Sequence, residues 1–169
     1  AQAERRMFII ANDADGYGRQ IDATLLLAVE AAQTADPPGL ALPALQLAAM
    51  LDPAGHPDTL WTTTAVTTYL GTHLPGQSSH RWWRRLLRRP ARPRPVTADQ
   101  ARDTLRVLHR YGLVSHDSQA GPRSVRIHAL TARAARETTP DLAAATRTAA
   151  DALLDLWPAN DHTTTDLIE

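Results

Sequence analysis

TADQARDTLRVLHRYGLVSHDSQAGPRSVRIHAL, residues 97–130, passes from helical to strand periodicity and back within one short run. Thr97 followed by Gln100 forms a capping box, in which hydroxyl and amide satisfy backbone donors at a helix start. From there Ala101, Leu105, Leu108 and Tyr111 fall on one helical face, and Gly112 supplies a left-handed stop. Two short runs follow, Leu113 to His116 and Ser124 to His128, separated by Asp117 to Arg123 with its Gly121 and Pro122. That pattern predicts a hairpin. In its second arm Val125 and Ile127 alternate with Ser124, Arg126 and His128, so one side is expected to pack inward and the other to carry polar groups.

Helices flank this hairpin on both sides. Upstream, Asp22 to Ala35 is Ala- and Leu-rich and closes at Asp36, Pro37, Pro38 and Gly39. Ala41 to Leu51 is apolar nearly all round, with Pro43 tolerated in its first turn, and is expected to be the central helix. Past the turn Asp52–Pro53–Ala54–Gly55, the segments Asp58 to Trp61 and Thr64 to Leu70 predict a short, broken third helix. Downstream, Ala129 to Glu137 reads as helix. A last helix is expected from about Thr139, with Pro140 at its first position and Asp141 at the positive end of its dipole, to Trp157. The fold class is therefore mainly α with a small β hairpin, the layout of a winged helix extended by C-terminal helices.

Composition removes whole classes of chemistry. The 169 residues are 43% apolar and 21% charged, a balance that supports a packed core without staples. With no Cys there is no thiol nucleophile, zinc knuckle or disulfide. All 18 basic residues are Arg, so the chain supplies neither a P-loop Lys nor a Schiff-base Lys. The seven His include no i, i+4 pair and no HExxH, and neither a G-x-S-x-G elbow nor a glycine-rich phosphate loop is present. We expect no enzyme activity, no metal and no cofactor in this chain by itself. No run approaches the 18 apolar residues of a membrane span, and the reading is a cytoplasmic protein; the start at Ala1 is read as a piece of a longer chain.

The zero net charge hides an asymmetry. Residues 81–94 (RWWRRLLRRPARPR) hold seven Arg and no acid, leaving a net of minus seven on the rest. This run lies in an Arg/Pro-rich insert over about 71–96, bounded by Gly, Pro and Ser. On a helical wheel Trp82, Trp83, Leu86 and Leu87 share one arc, and Arg81, Arg84, Arg85, Arg88 and Arg89 the other. Such a segment docks on its own domain, on an acidic membrane surface or on nucleic-acid phosphates; the acidic remainder favours self-docking or contact with another domain of the parent protein.

The runs GLALPALQLAAMLDPAGHP (39–57), ARDTLRVLHRYGLVSHD (101–117), RSVRIHALTARAARE (123–137) and AADALLDLWP (149–158), with DADGYGRQIDATLLLAVEAA (13–32), resemble the region after the nucleotide-binding core of actinobacterial NB-ARC proteins with tetratricopeptide repeats, a branch of the STAND ATPases. The resemblance implies a division into a linker from the nucleotide-binding region (1–20), a winged-helix domain (21–137), a C-terminal helix (138–158) and a linker toward repeats (159–169). It implies a regulatory arm that closes over an ADP-loaded domain, with ADP or ATP held by the parent protein and the neighbouring nucleotide-binding and repeat domains as partners. Relatives carry Met-His-Asp at the end of the hairpin, the His touching the ADP phosphate; here Ile127, His128 and Ala129 stand there, so the acid is missing. His128 also ends a strand beside a helix start, where backbone N–H groups and a ring N–H converge on an anion.

Two other functions stay open. A DNA-binding winged-helix regulator would use Arg102, Arg106 and Arg110, one stripe of Ala98 to Arg110, although Asp99 and Asp103 alternate with them as on a solvated face. A non-sensing scaffold would use the helices only to pack neighbouring domains.

Overall fold

Six helices and one hairpin form among residues 17–36, 39–74 and 95–157, which the computed structural model describes. The helices are α1 (Tyr17–Ala35), α2 (Ala41–Ala48), α3 (Thr64–Thr72), α4 (Ala98–Arg110), α5 (Ala129–Glu137) and α6 (Leu142–Leu156). Strands β1 (Ser115–His116) and β2 (Val125–Arg126) lie between α4 and α5. The mainly helical class and the hairpin agree with the sequence reading. Residues 1–16, 37–38, 75–94 and 158–169 lie outside this description, so the two expected terminal linkers and most of the insert, with Arg81, Arg84, Arg85, Arg88 and Arg89, fall outside the described residues.

The apolar composition of α2 makes it central. Ala41, Ala44, Leu45, Leu47 and Ala48 are buried, and α1, α4, α5 and α6 all pack on this one helix. A second layer pairs α3 with α6. Between them lie Leu60 and Trp61, in a 3-10 turn over Asp58–Thr62, and Leu105 and Leu108 of α4, all fully buried. Truncating one such leucine to Ala costs about 2–5 kcal/mol, because neighbours fill the cavity only partly.

An apolar helix has poor means of capping itself, and α2 borrows its caps from α1. The Leu40 N–H donates to the buried Asp36 carboxylate at 2.6 Å, and the Leu42 N–H to Gln33 Oε1 at 2.7 Å, while Gln33 Nε2 donates to the Gly39 carbonyl. Three orphan groups of the corner are thereby satisfied. Burial pushes the Asp36 carboxyl up from its ordinary value, opposed by the Leu40 and Ala41 amides and by the Thr104 hydroxyl.

Several boundaries differ from expectation, each for a local reason. α2 ends at Ala48, not Leu51, and the Arg136 guanidinium donates to the Ala49 carbonyl at 2.7 Å, satisfying the end from another helix. α6 starts at Leu142; Pro140 precedes it, and Asp141 is the N-cap, accepting from the Ala144 N–H at 2.9 Å. Thr138 closes α5 instead, so its hydroxyl bonds back to Ala134 and Ala135 and breaks the run. The capping box on α4 forms as read, both of its bonds present, and Gly112 adopts φ +69°.

The hairpin pairs Ser115 with Arg126 and His116 with Val125. It is shorter than predicted. Leu113 and Val114 enter the core before pairing begins, and Ser124 is helical in φ and ψ, not extended. Ser124 was expected on the polar outer side but is buried, since its Oγ accepts the Asp58 N–H at 2.8 Å. Val125 and Ile127 point inward and Arg126 and His128 outward, as the alternation required.

Candidate functional site

The hairpin gains a third participant that its sequence did not announce. His56, between α2 and the 3-10 turn, exchanges two backbone hydrogen bonds with Val125, at 2.9 and 3.0 Å, so β2 is flanked by β1 on one side and His56 on the other. Gly55 permits this approach: its φ is +132°, and a Cβ there would sit 2.9 Å from Arg123 Cβ. The two turns touch through a position where only hydrogen fits.

The His56 side chain is locked in place. It is 3% exposed, and its Nε2 accepts the Trp61 indole N–H at 3.2 Å. In the neutral ring the proton therefore sits on Nδ1, which has no hydrogen-bond partner. Burial drives its pKa down from 6.5 to about 4, against a small opposing pull from Asp52. At neutral pH this imidazole is uncharged and structural.

Two more histidines converge at the same end of the sheet. The His116 N–H donates to His109 Nδ1 at 3.1 Å, their rings meet edge to face at 6.4 Å, and His116 Nε2 stands 3.5 Å from Asp58 Oδ2. They belong to different elements, α4 and β1, and the chain reversal between those two brings them together. Among the described residues no group of three or more His, Asp or Glu has the geometry to hold a metal ion.

His128, expected to end the strand, lies two residues past β2, which stops at Arg126. It is exposed and forms the N-cap of α5, its Nδ1 accepting the Leu130 N–H at 3.3 Å. That bond fixes the tautomer of the neutral ring, because an accepting Nδ1 leaves the proton on Nε2. Nε2–H is thus a donor at a helix N-terminus, with no partner among the described residues.

The basic residues of α4 are differently engaged. Arg102 pairs with Asp99 at 3.2 Å and Arg106 with Asp103, both on the exposed side. Such i, i+3 pairs contribute only about 0.2–0.5 kcal/mol each, but they lay two carboxylates along the stripe a DNA phosphate would have to approach.

A cleft of about 810 Å³ opens between α3 and α6, lined also by Leu42 and Pro43 of α2. Tyr69 forms one wall, its ring 4.6 Å from that of His73. Burial, then the nearby Asp141 carboxylate, raise the Tyr69 phenol to about 12, so it remains a hydroxyl throughout the physiological range. Sequence reasoning missed this cleft, as it missed His56. The threonines spaced along α3 hinted at a polar side for that helix but not at what stands opposite.

No family model matches the chain, no curated protein matches its sequence and no solved structure matches its fold. None of the described helices is long and apolar enough to cross a membrane.

Proposed function

We propose that this chain is the regulatory winged-helix arm of a STAND-type ATPase, closing over an ADP-bound nucleotide domain supplied by the parent protein and contributing no catalytic group of its own. The order helix, bridging residue, helix, helix, hairpin supports the winged-helix reading, with α2, His56, α3, α4 and β1–β2 in those places and β2 central in the ribbon. The observation that carries the functional reading is the state of His128. With Nδ1 accepting the Leu130 N–H, the ring turns Nε2 outward two residues past β2, beside the first turn of α5 and the positive end of its short dipole. An oxygen of a terminal phosphate suits such a donor set. Cytoplasmic residence follows from the same reading, since ATP and ADP are held there. The carboxylates beside Arg102 and Arg106 weigh against a DNA-binding role.

The capping and ligand-binding roles of His128 separate by substitution in the intact, nucleotide-loaded protein. Asn is among the best N-caps but places no donor where Nε2–H stands, whereas Ala loses both functions. One neutral hydrogen bond is worth about 1 kcal/mol, so both His128→Asn and His128→Ala should speed release of a fluorescent ADP analogue roughly fivefold to tenfold. Only Ala should also lower thermal stability. Unchanged ADP release in both variants removes the role.

A further inference from the structure

We propose that the cleft between α3 and α6 is the docking site of this chain's own Arg/Trp-rich segment, residues 81–89. The chain departs at Leu74, directly after Thr72 and His73, which form the cleft rim, and it returns at Val96, whose N–H donates to the Thr67 carbonyl of α3 at 3.0 Å. Both ends of the intervening residues are therefore fastened to one wall of the cleft. Arg81 stands seven positions past Leu74 and Arg89 six before Pro95, a reach of roughly 20–25 Å from either side. The opposite wall, the 15-residue α6, is only about 22 Å long. Every point of the cleft lies within that tether.

The chemistry of the lining matches the segment. Leu42, Tyr69 and Ala144 offer apolar surface, and the volume of about 810 Å³ is of the size that holds a drug-sized molecule, so the indoles of Trp82 and Trp83 fit. The formally charged side chains on the lining are Asp141, the N-cap of α6, and Asp151 within it, ten residues apart, with no Arg among the lining residues. Five arginines and no acid in residues 81–89 are the complement of that wall. Docking the indoles inside and the guanidinium groups along the acidic rim uses both halves of the segment's amphipathic pattern. Neither a membrane nor a nucleic acid, both polyanionic at their surfaces, would be drawn to the flank carrying these two carboxylates. His128 is not among the residues that line the cleft, and its role does not enter this proposal.

Trypsin tests it on the full chain, since its preferred bonds after Arg81, Arg84, Arg85 and Arg88 all fall in the segment. Cleavage rates there are measured by mass spectrometry and normalised to those of the same chain unfolded in urea. Asp141→Asn combined with Asp151→Asn keeps an N-cap residue at 141 and removes both charges; loss of two partly exposed ion pairs should raise the normalised rate about fivefold. Trp82→Ala with Trp83→Ala, which leaves the folded helices untouched, should raise it at least tenfold. Equal rates in the three chains overturn the proposal. So does protection that appears only on adding duplex DNA or phosphatidylserine vesicles and is the same in the Asn double variant, which assigns the segment to that partner. Protection that grows with chain concentration also overturns it, in favour of exchange between copies.

Discussion

Acidification should unfold this protein through one imidazole. His56 is held neutral by burial, with a folded-state pKa of about 4 against 6.5 in the unfolded chain. The sign follows from proton counting: below 6.5 the unfolded state binds a proton that the folded state refuses, so stability falls as pH drops and the loss is complete only below about 4. At about 1.4 kcal/mol per pH unit, the loss is about 2 kcal/mol by pH 5 and about 3 kcal/mol by pH 4. That is a large part of the stability of an ordinary domain. The assay is urea unfolding followed by far-ultraviolet circular dichroism at pH 7, 6, 5 and 4, on the wild type and on His56→Gln. Gln retains an acceptor for the Trp61 indole and does not titrate, while all carboxylates, Asp36 included, contribute equally to both proteins. The difference between the two should therefore narrow by about 3 kcal/mol from pH 7 to pH 4, always at the expense of the wild type. A difference that stays constant over this range would show that the ring is hydrated or paired, and the account of the sheet base would be wrong.

Other substitutions probe the local devices. Thr97→Ala removes one half of the α4 capping box and should cost about 1 kcal/mol in urea unfolding, with little change in the slope against denaturant. Gly55→Ala forces a Cβ to within 2.9 Å of Arg123 in a backbone region that favours glycine, so a loss of about 2 kcal/mol or more is expected; a loss under about 0.5 kcal/mol would mean that the two turns move apart freely. Asp36→Ala strips the Leu40 N–H of its buried acceptor and should cost about 1–3 kcal/mol at pH 7 by thermal denaturation, whereas Asp36→Asn, which keeps an acceptor and drops the desolvated charge, should cost less.

Much of the helical plan was legible because it depends on neighbours in sequence. Thr97 and Gln100, Gly112, and the alternation of Val125, Arg126 and Ile127 act within a few residues of themselves, and the structure places them as their chemistry requires. The same locality made His128 readable as a residue at a helix start. Its capping bond through Nδ1, and hence the identity of its free nitrogen, needed the backbone of Leu130 in position. What escaped local reasoning involves partners far along the chain. Asp36 looks like a helix stop before two prolines, yet it caps α2 and meets Thr104, 68 positions away. His56 looks like a turn residue, yet Val125 takes its backbone and Trp61 its ring.

Periodicity, caps and glycine conformation are properties of short segments, so they dictate which residues become helix and which become ribbon. Desolvation is not such a property. Whether His56 is neutral, whether Ser124 turns inward and whether α3 and α6 leave a cleft lined by Asp141 and Asp151 all depend on which surfaces exclude water together, and that is settled only when distant helices close on one another.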